Sequence, residues 1–540
     1  MKKLKRYAAL LLALTLVAGL LAGCRREDSL SFRVGFGRVP ATLDPALASA
    51  DEEKIVVSHL FENLMKLQSD GSGGTTAVNG MARSYQCDAT AEGQETYTFK
   101  LRSATWSDGT KVTAQDFVYA WKRLVAPETG SKNAKLLDMV AGYTAARAGD
   151  AEALQVSAPD EETFVVALSG RCPYFIDSVC TAAATMPVQS AAAAQENWSM
   201  SASTLVTNGP YTVSSWEGDT LTLTQSADYH DKRRLGPENL TFRFTADAKT
   251  ANSLYDRGEV DFVLGLTEEA IAKKIDSWTP DSYPETSVVL LNQLSSLTSN
   301  ENVRRAMGLV IDRNAIAELL GARTHPAAEG LVTWDIRSTA GGQFRDLGPA
   351  VDNDSENYEK NCQTARELMQ AAGYTAGALA KLGTVTMLYE SDGITDSLAA
   401  LLQKTWKEKL GLDVTLQGVT TAQIDQALAR GEYTIAALRV SSDRNDATGF
   451  LNSWRKGNED NYANFYSSAY DMLLRVAAVS VSQEARDAYL EDAERLLLEQ
   501  GNVIPLYYST ISWSLSEHYT GVFGDGLGRY FFYAVHKASK

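Results

Sequence analysis

The chain has 540 residues, with 51 Lys and Arg against 67 Asp and Glu for a formal net charge of −16, and it is 44% hydrophobic and 22% charged. A negative balance of this size disfavours nucleic acid and anionic lipid headgroups as partners, and the length exceeds what one hydrophobic core serves, so two or three lobes are predicted. Cysteines without CxxC or Cys/His spacing, and five scattered histidines without an HExxH, give no zinc or redox signature.

Lys2, Lys3, Lys5 and Arg6 precede an uncharged run from Ala8 to Ala22. That order is the pattern of a signal peptide, and the run falls short of the roughly 20 apolar residues a spanning helix needs. "LAGC", ending at Cys24, resembles the lipobox of bacterial lipoproteins. The resemblance implies cleavage before Cys24, acylation of its sulfur, and an exported body held at the membrane by lipid. An uncleaved anchor and a buried thiol are the alternatives.

"SFRVGFG" alternates as a strand, and a helical pattern follows from about Asp51 to Met65, with Ile55, Leu60, Phe61 and Leu64 on one side. "SDGSGG" is a turn. "TYTFKLR" sets Tyr97, Phe99 and Leu101 on one face of a half-buried strand, which ends in the turn "WSDGT". Thr113 reads as the N-cap of a helix whose apolar face holds Phe117, Ala120, Trp121 and Leu124. "GPYTVSSW", "DTLTLTQS" and "LTFRFT" form a strand-rich section. From Asn302 on, helical patterns at Val303 to Leu320, Cys362 to Ala372 and Asp396 to Leu410 alternate with the strands "TVTMLYE", "LDVTLQG" and "YTIAALRVS", the signature of an open α/β sheet. Two helices, at about Ala469 to Val479 and Gln483 to Glu499, precede a last strand at "NVIPLYYS".

Catalytic patterns are sparse in the sequence. There is no GxSxG elbow and no P-loop, and "GDGLG" at 524 to 528 reads as a turn. The run Asp352, Asp354, Glu356 begins like a calcium loop, but Asn357 and Gln363 stand where the glycine and the bidentate glutamate belong, so a solvated loop is predicted. The carboxylate pairs Glu259 with Asp261 and Asp443 with Asp446 have the composition of a glycosidase acid and base, though nearby carboxylates are common in so acidic a chain. Cys87, Cys172, Cys180 and Cys362 read mostly as packing residues. Cys172 and Cys180 pair only if the chain turns back, since in one helix they would stand roughly 12 Å apart.

In this order "ATLDP", "LFENLMK", "TYTFKLRSATWSDGTKVTAQDFVYAWKRLVAP", "VTNGPYTVSSWEGDTLTLTQSADYHD", "NVRRAMGLVIDR", "DATGFLNSW" and "NVIPLYY" resemble extracellular solute-binding proteins of family 5, the oligopeptide-binding lipoproteins of ABC transporters, from about Arg33 to the end. The resemblance implies an α/β fold of the type II periplasmic-binding-protein kind, two lobes around a hinged cleft plus an inserted extra domain. The implied boundaries are a signal peptide at 1–23, a first lobe from 24–61, 186–286 and 508–540, an inserted second domain at 62–185, and a third lobe at 287–507. It further implies an extracytoplasmic, membrane-anchored monomer with no cofactor and no catalysis, which captures peptides and hands them to permease subunits. Carried over residue by residue, Asp443 would hold the ligand's ammonium, while Val440, Ser441 and Ser442 on one side and Ser49, Ala50 and Asp51 on the other would offer backbone. Capping of "DATGFLNSW" is the structural alternative for Asp443.

The chain also departs from the family. Val440 and Ser441 stand where Trp-Cys is usual, no cysteine lies near Ser287, "TSVVLLNQ" lacks aromatics, and Arg444 and Asn133 replace tyrosines. Ligand length and side-chain preference stay open, as do an oligosaccharide or signalling peptide as ligand and a secreted hydrolase as a different class.

Overall fold

The computed structural model describes residues 29–71, 74–90, 93–273 and 278–539. The signal segment and Cys24 lie outside them.

Among the described residues the largest sheet has ten strands, in the order Val414–Val419, Val385–Glu390, Ile435–Ser441, Thr279–Leu291, Val503–Leu515, Phe262–Leu264, Ser31–Phe36, Asn239–Phe244, Thr220–Gln225, Tyr211–Glu217. Ser31–Phe36 runs parallel to both neighbours, and its alternate residues Phe32, Val34 and Phe36 are fully buried. Phe36 stacks on Phe242, with ring centroids 5.9 Å apart.

The far half of this sheet obeys a different pattern for a physical reason. In "VVLL", Val289 and Leu291 face a core formed with helices Glu301–Leu309, Tyr358–Ala371 and Ile394–Leu410, while Val288 and Leu290 face a second core formed with Thr421–Arg430, Ser468–Val479 and Gln483–Glu499. A strand covered on both faces has no polar side, so its sequence is continuously apolar.

The two halves share two central strands of thirteen residues each, Thr279–Leu291 and Val503–Leu515. Their antiparallel ladder is interrupted between Ser282, opposite Thr510, and Thr286, opposite Tyr508. Tyr283, Pro284 and Glu285 lie in this gap, where the halves meet.

A separate four-stranded antiparallel sheet orders Ala82–Ala89, Glu95–Leu101, Thr163–Ala167 and Val156–Asp160. Helix Ala114–Val125 packs on it through Phe117, Ala120, Trp121 and Leu124, all buried. At the start of that helix the Asp116 carboxylate accepts from the N–H and hydroxyl of Thr113, so the cap falls where the sequence placed it.

Three expectations are corrected. The helix read from Asp51 to Met65 ends at Leu60, and Met65–Ser69 is a strand. The cause is remote: Gly209 N–H bonds Leu60 C=O at 2.9 Å, and Asn208 exchanges hydrogen bonds with the backbone of Glu62. A side chain on Gly209 would meet the backbone of Leu60 and Phe61 at 2.6 Å, so glycine alone permits this approach. The pattern from Val303 to Leu320 forms two helices, Glu301–Leu309 and Arg313–Leu320, because Asp312 caps the second through Ala315 N–H. Of the cysteines read as packing residues, Cys172, Cys180 and Cys362 are buried and free as expected, whereas Cys87 is exposed.

Candidate functional site

Tyr283 and Pro284, released from pairing with Val503–Leu515, form one wall of a chamber of about 340 Å³ between the halves, and the Pro284 carbonyl accepts from Ser442 N–H at 2.8 Å. Ser49, Asn133, Lys135 and Asp138 form the opposite side, Ser441 to Arg444 the third, and Leu527 its end. Asp443 and Leu527 also border a cavity of about 70 Å³, and Leu527 with Ser178 and Arg529 borders one of about 210 Å³. The three cavities adjoin around Leu527.

The strand leading into the chamber has an unusual edge. Ile435–Ser441 pairs with Thr279–Leu291 along its full length, but its parallel neighbour Val385–Glu390 pairs only with Ile435 to Ala437. Leu438 to Ser441 therefore leave one ladder edge without a strand among the described residues, which is the geometry that accepts an added extended chain.

Directly beyond it stands Arg444, only 4% exposed. Its Nε donates to Asp443 Oδ1 at 2.8 Å, Nη1 to Asp138 Oδ1 at 2.9 Å and Tyr174 Oη at 3.0 Å, and Nη2 to the Lys135 carbonyl at 2.9 Å. Burial alone would lower its pKa, but the Asp138 and Asp443 carboxylates outweigh it and hold the guanidinium firmly charged. The neighbouring Asn445 N–H donates to Ser178 Oγ at 3.1 Å, and Lys135 pairs with Asp460, so these contacts join the Ile435–Ser441 half to the segment 135–178. The turn is shaped by Ser442 Oγ, which donates to Arg444 C=O at 2.7 Å and fills the space a side chain on Gly449 would need.

The structure removes the capping alternative for Asp443. Asp446, held by Arg486 at 2.9 Å, caps the following helical turn by accepting from Thr448 N–H and hydroxyl. Asp443 is not the cap, and its side chain keeps 36% exposure beside the chamber.

On the facing side, Ser49 and Ala50 donate their N–H groups to Glu53 Oε2 at 2.9 and 3.1 Å, which fixes the loop before helix Asp51–Leu60. Asp51 accepts from Tyr283 Oη at 3.2 Å and lies 3.6 Å from Lys54 Nζ, and burial pushes its carboxyl up to about 6. A folded-state pKa above the unfolded value penalises the folded protein at neutral pH and relieves it as pH falls through 6 toward 4. Asp51→Asn is therefore expected to gain about 1–3 kcal/mol at pH 7.5, the gain fading by pH 4, in denaturant melts at both values. A variant no more stable than wild type at pH 7.5 would show that Tyr283 and Lys54 offset the burial.

Of the seven ligand residues expected from sequence, Ser49, Ser441, Ser442 and Asp443 face one chamber. The other three do not line it: Ala50 spends its N–H on Glu53, Asp51 stands behind Tyr283, and Val440 packs toward the core. Asn133 lines the chamber and ties its wall to the Ala46 and Ala48 carbonyls. Lys135, Asp138, Tyr174, Tyr283 and Leu527 were not foreseen. The "GDGLG" turn does hold Gly526 and Gly528 at positive φ, 72° and 87°, and in doing so it presents Leu527.

The remaining motifs have structural employment. Asp352 and Asp354 accept backbone N–H groups of Asp354 and Glu356, and no group of three or more His, Cys, Asp or Glu among the described residues is arranged to hold a metal. Asp261 is clasped by Arg33 and Glu259 by Arg257. No described helix is long and apolar enough to cross a membrane.

Two α/β halves that share one sheet through two long strands and enclose a polar chamber at their junction define a type II periplasmic-binding-protein fold. The chain belongs to the bacterial extracellular solute-binding proteins, family 5, whose model matches residues 76–462. It is 28% identical over 483 residues to the periplasmic oligopeptide-binding protein OppA of Escherichia coli, covering 86% of this chain and 85% of that one. It is 26% identical over 512 residues to the probable deoxycholate-binding periplasmic protein YgiS of the same organism, covering 91% and 90%. The solved murein tripeptide binding protein MppA of E. coli shares the fold, with a TM-score of 0.77 at 24% identity over 95% of this chain and 99% of that one.

Proposed function

We propose that this chain captures peptides in the chamber and delivers them to an ABC transporter permease, itself catalysing nothing, while lipid on Cys24 anchors it to the extracytoplasmic face of the membrane. The observation that carries the reading is the strand edge at Leu438 to Ser441, which has no strand partner among the described residues and leads to Asp443 in the chamber. An extended backbone added to that edge gains hydrogen bonds whatever its side chains, so capture is broad in sequence. Ser49, Ser441, Ser442 and Asp443 line the ligand, and Ala50, Asp51 and Val440 support them. The lobes, bounded as the sequence implied, close about the gap at Tyr283 to Glu285.

The first test is thermal unfolding of the ligand-stripped protein against random peptides of two to eight residues. A ligand of the folded state alone stabilises it by mass action, about 2.7 kcal/mol at a hundredfold excess over Kd. No shift with any peptide overturns the peptide reading and favours another solute, such as the bile acid class that YgiS is named for. The anchor is tested separately: Cys24→Ser is expected to move the protein from the membrane to the soluble fraction, and retention in membranes would refute lipid attachment.

A further inference from the structure

Arg444 sits where carboxylates from the two sides of the chamber approach each other. Asp443 belongs to the turn after strand Ile435–Ser441, and Asp138 to the facing segment, 306 residues away from Arg444 in the chain. One guanidinium bonds both, at 2.8 and 2.9 Å, and spends its remaining N–H groups on Tyr174 Oη, the Lys135 carbonyl and a 3.4 Å contact to Asp443 Oδ2. An arginine has five N–H donors. All are committed to protein, so Arg444 has none to offer a ligand.

We infer that Arg444 determines the terminal specificity of the cleft: it is a built-in counter-cation between Asp443 and Asp138, and it lets the protein take peptides whose amino terminus is blocked. The inference rests on the peptide reading above and deepens it. Two carboxylates brought together in a half-buried junction repel unless a cation lies between them. Where that cation must come from the ligand, an N-acylated peptide leaves both charges uncompensated and binds poorly. Here the protein carries the cation in a rigid fork, on the residue next to Asp443, and a free ammonium arriving at Asp443 shares a carboxylate already bonded at Nε. Free and blocked amino termini are then distinguished weakly. The chemical class admitted is extended peptides without regard to a terminal charge, including formylated or acetylated ones.

The test takes a peptide that stabilises the protein in the thermal screen, prepares it free and N-acetylated, and measures both Kd values by titration calorimetry. Acetylation is expected to weaken binding to wild type by less than about tenfold, below the loss of one charge-assisted bond. In Arg444→Gln, whatever the change in overall affinity, the acetylated peptide is expected to bind at least tenfold worse than the free one, because Asp443 and Asp138 then keep no bonded cation, Lys135 being paired with Asp460. Arg444→Lys, which keeps the charge without the fork, is expected to stay on the wild-type side of that limit. A tenfold or larger loss on acetylation in wild type overturns the inference by itself, whether or not the variants fold. So does an acetylation ratio that Arg444→Gln leaves unchanged. Failure of every peptide in the thermal screen is a different result, and it removes the peptide reading on which the inference stands.

Discussion

Replacing Glu494 by alanine is expected to cost about 3–5 kcal/mol, the penalty for stripping a buried ion of its partner. Glu494 is fully buried in helix Gln483–Glu499, and its Oε1 accepts three hydrogen bonds: from Leu331 N–H at 2.7 Å, Val332 N–H at 2.8 Å and Arg345 Nη2 at 2.7 Å. Arg345, 5% exposed by side chain, would be left as an uncompensated guanidinium, and two buried amides would lose their acceptor. Gly330 packs tightly against the pair, since a Cβ there would lie 2.4 Å from Arg345 Nη2. Glu494→Gln retains the acceptor for the amides and loses only the charge, so its cost is expected to be smaller. The readouts are denaturant melts and hydrogen exchange at Leu331 and Val332, and full protection of both amides in Glu494→Ala would contradict the assignment.

Trp121→Ala is expected to cost a similar amount, about 3–5 kcal/mol, by a different route. The indole is fully buried between helix Ala114–Val125 and the four-stranded sheet, edge-on to Phe164 at 5.2 Å and Phe175 at 6.2 Å, and its Nε1 donates to the Thr185 carbonyl at 2.9 Å. Truncation leaves a void and an unpaired carbonyl together. Trp121→Phe separates the two, retaining most of the packing and losing the hydrogen bond, with an expected cost of about 1–3 kcal/mol. Equal losses for the two variants would mean that packing contributes little here. Glu494 and Trp121 belong to different cores, so the two melts also report whether those cores unfold as one unit.

These residues show what kind of information a sequence makes legible. Trp121 was placed on a buried helix face by spacing alone, and strand Glu95–Leu101 by alternation, because a repeating pattern is local and each repeat adds to the signal. The helix that stops at Leu60 was read too long because the groups that end it, Asn208 and Gly209, come from a distant part of the chain. The site divides in the same way. Ser441 to Asp443 could be placed by motif, whereas the role of Arg444 depends on Asp138 and Tyr174, which lie 306 and 270 residues away. Arg444 was visible beforehand only as an unexpected residue, and which carboxylate caps the "DATGFLNSW" turn, Asp446 instead of Asp443, was a matter of three residues that spacing does not resolve.

The interrupted ladder between Thr279–Leu291 and Val503–Leu515 has a mechanical consequence. Two strands bonded side by side on both flanks of a gap form a strap that resists sliding, while Tyr283 to Glu285 are held from one side only, Glu285 opposite Ser441 and the Pro284 carbonyl accepting from Ser442 N–H. On the proposed function, in which the halves close about this gap, their relative motion reduces to a single coordinate, the opening angle. The outer surface of the molecule becomes a function of that one angle, so cargoes of different chemistry that draw the halves to the same angle present the same exterior, and their identity is erased from it.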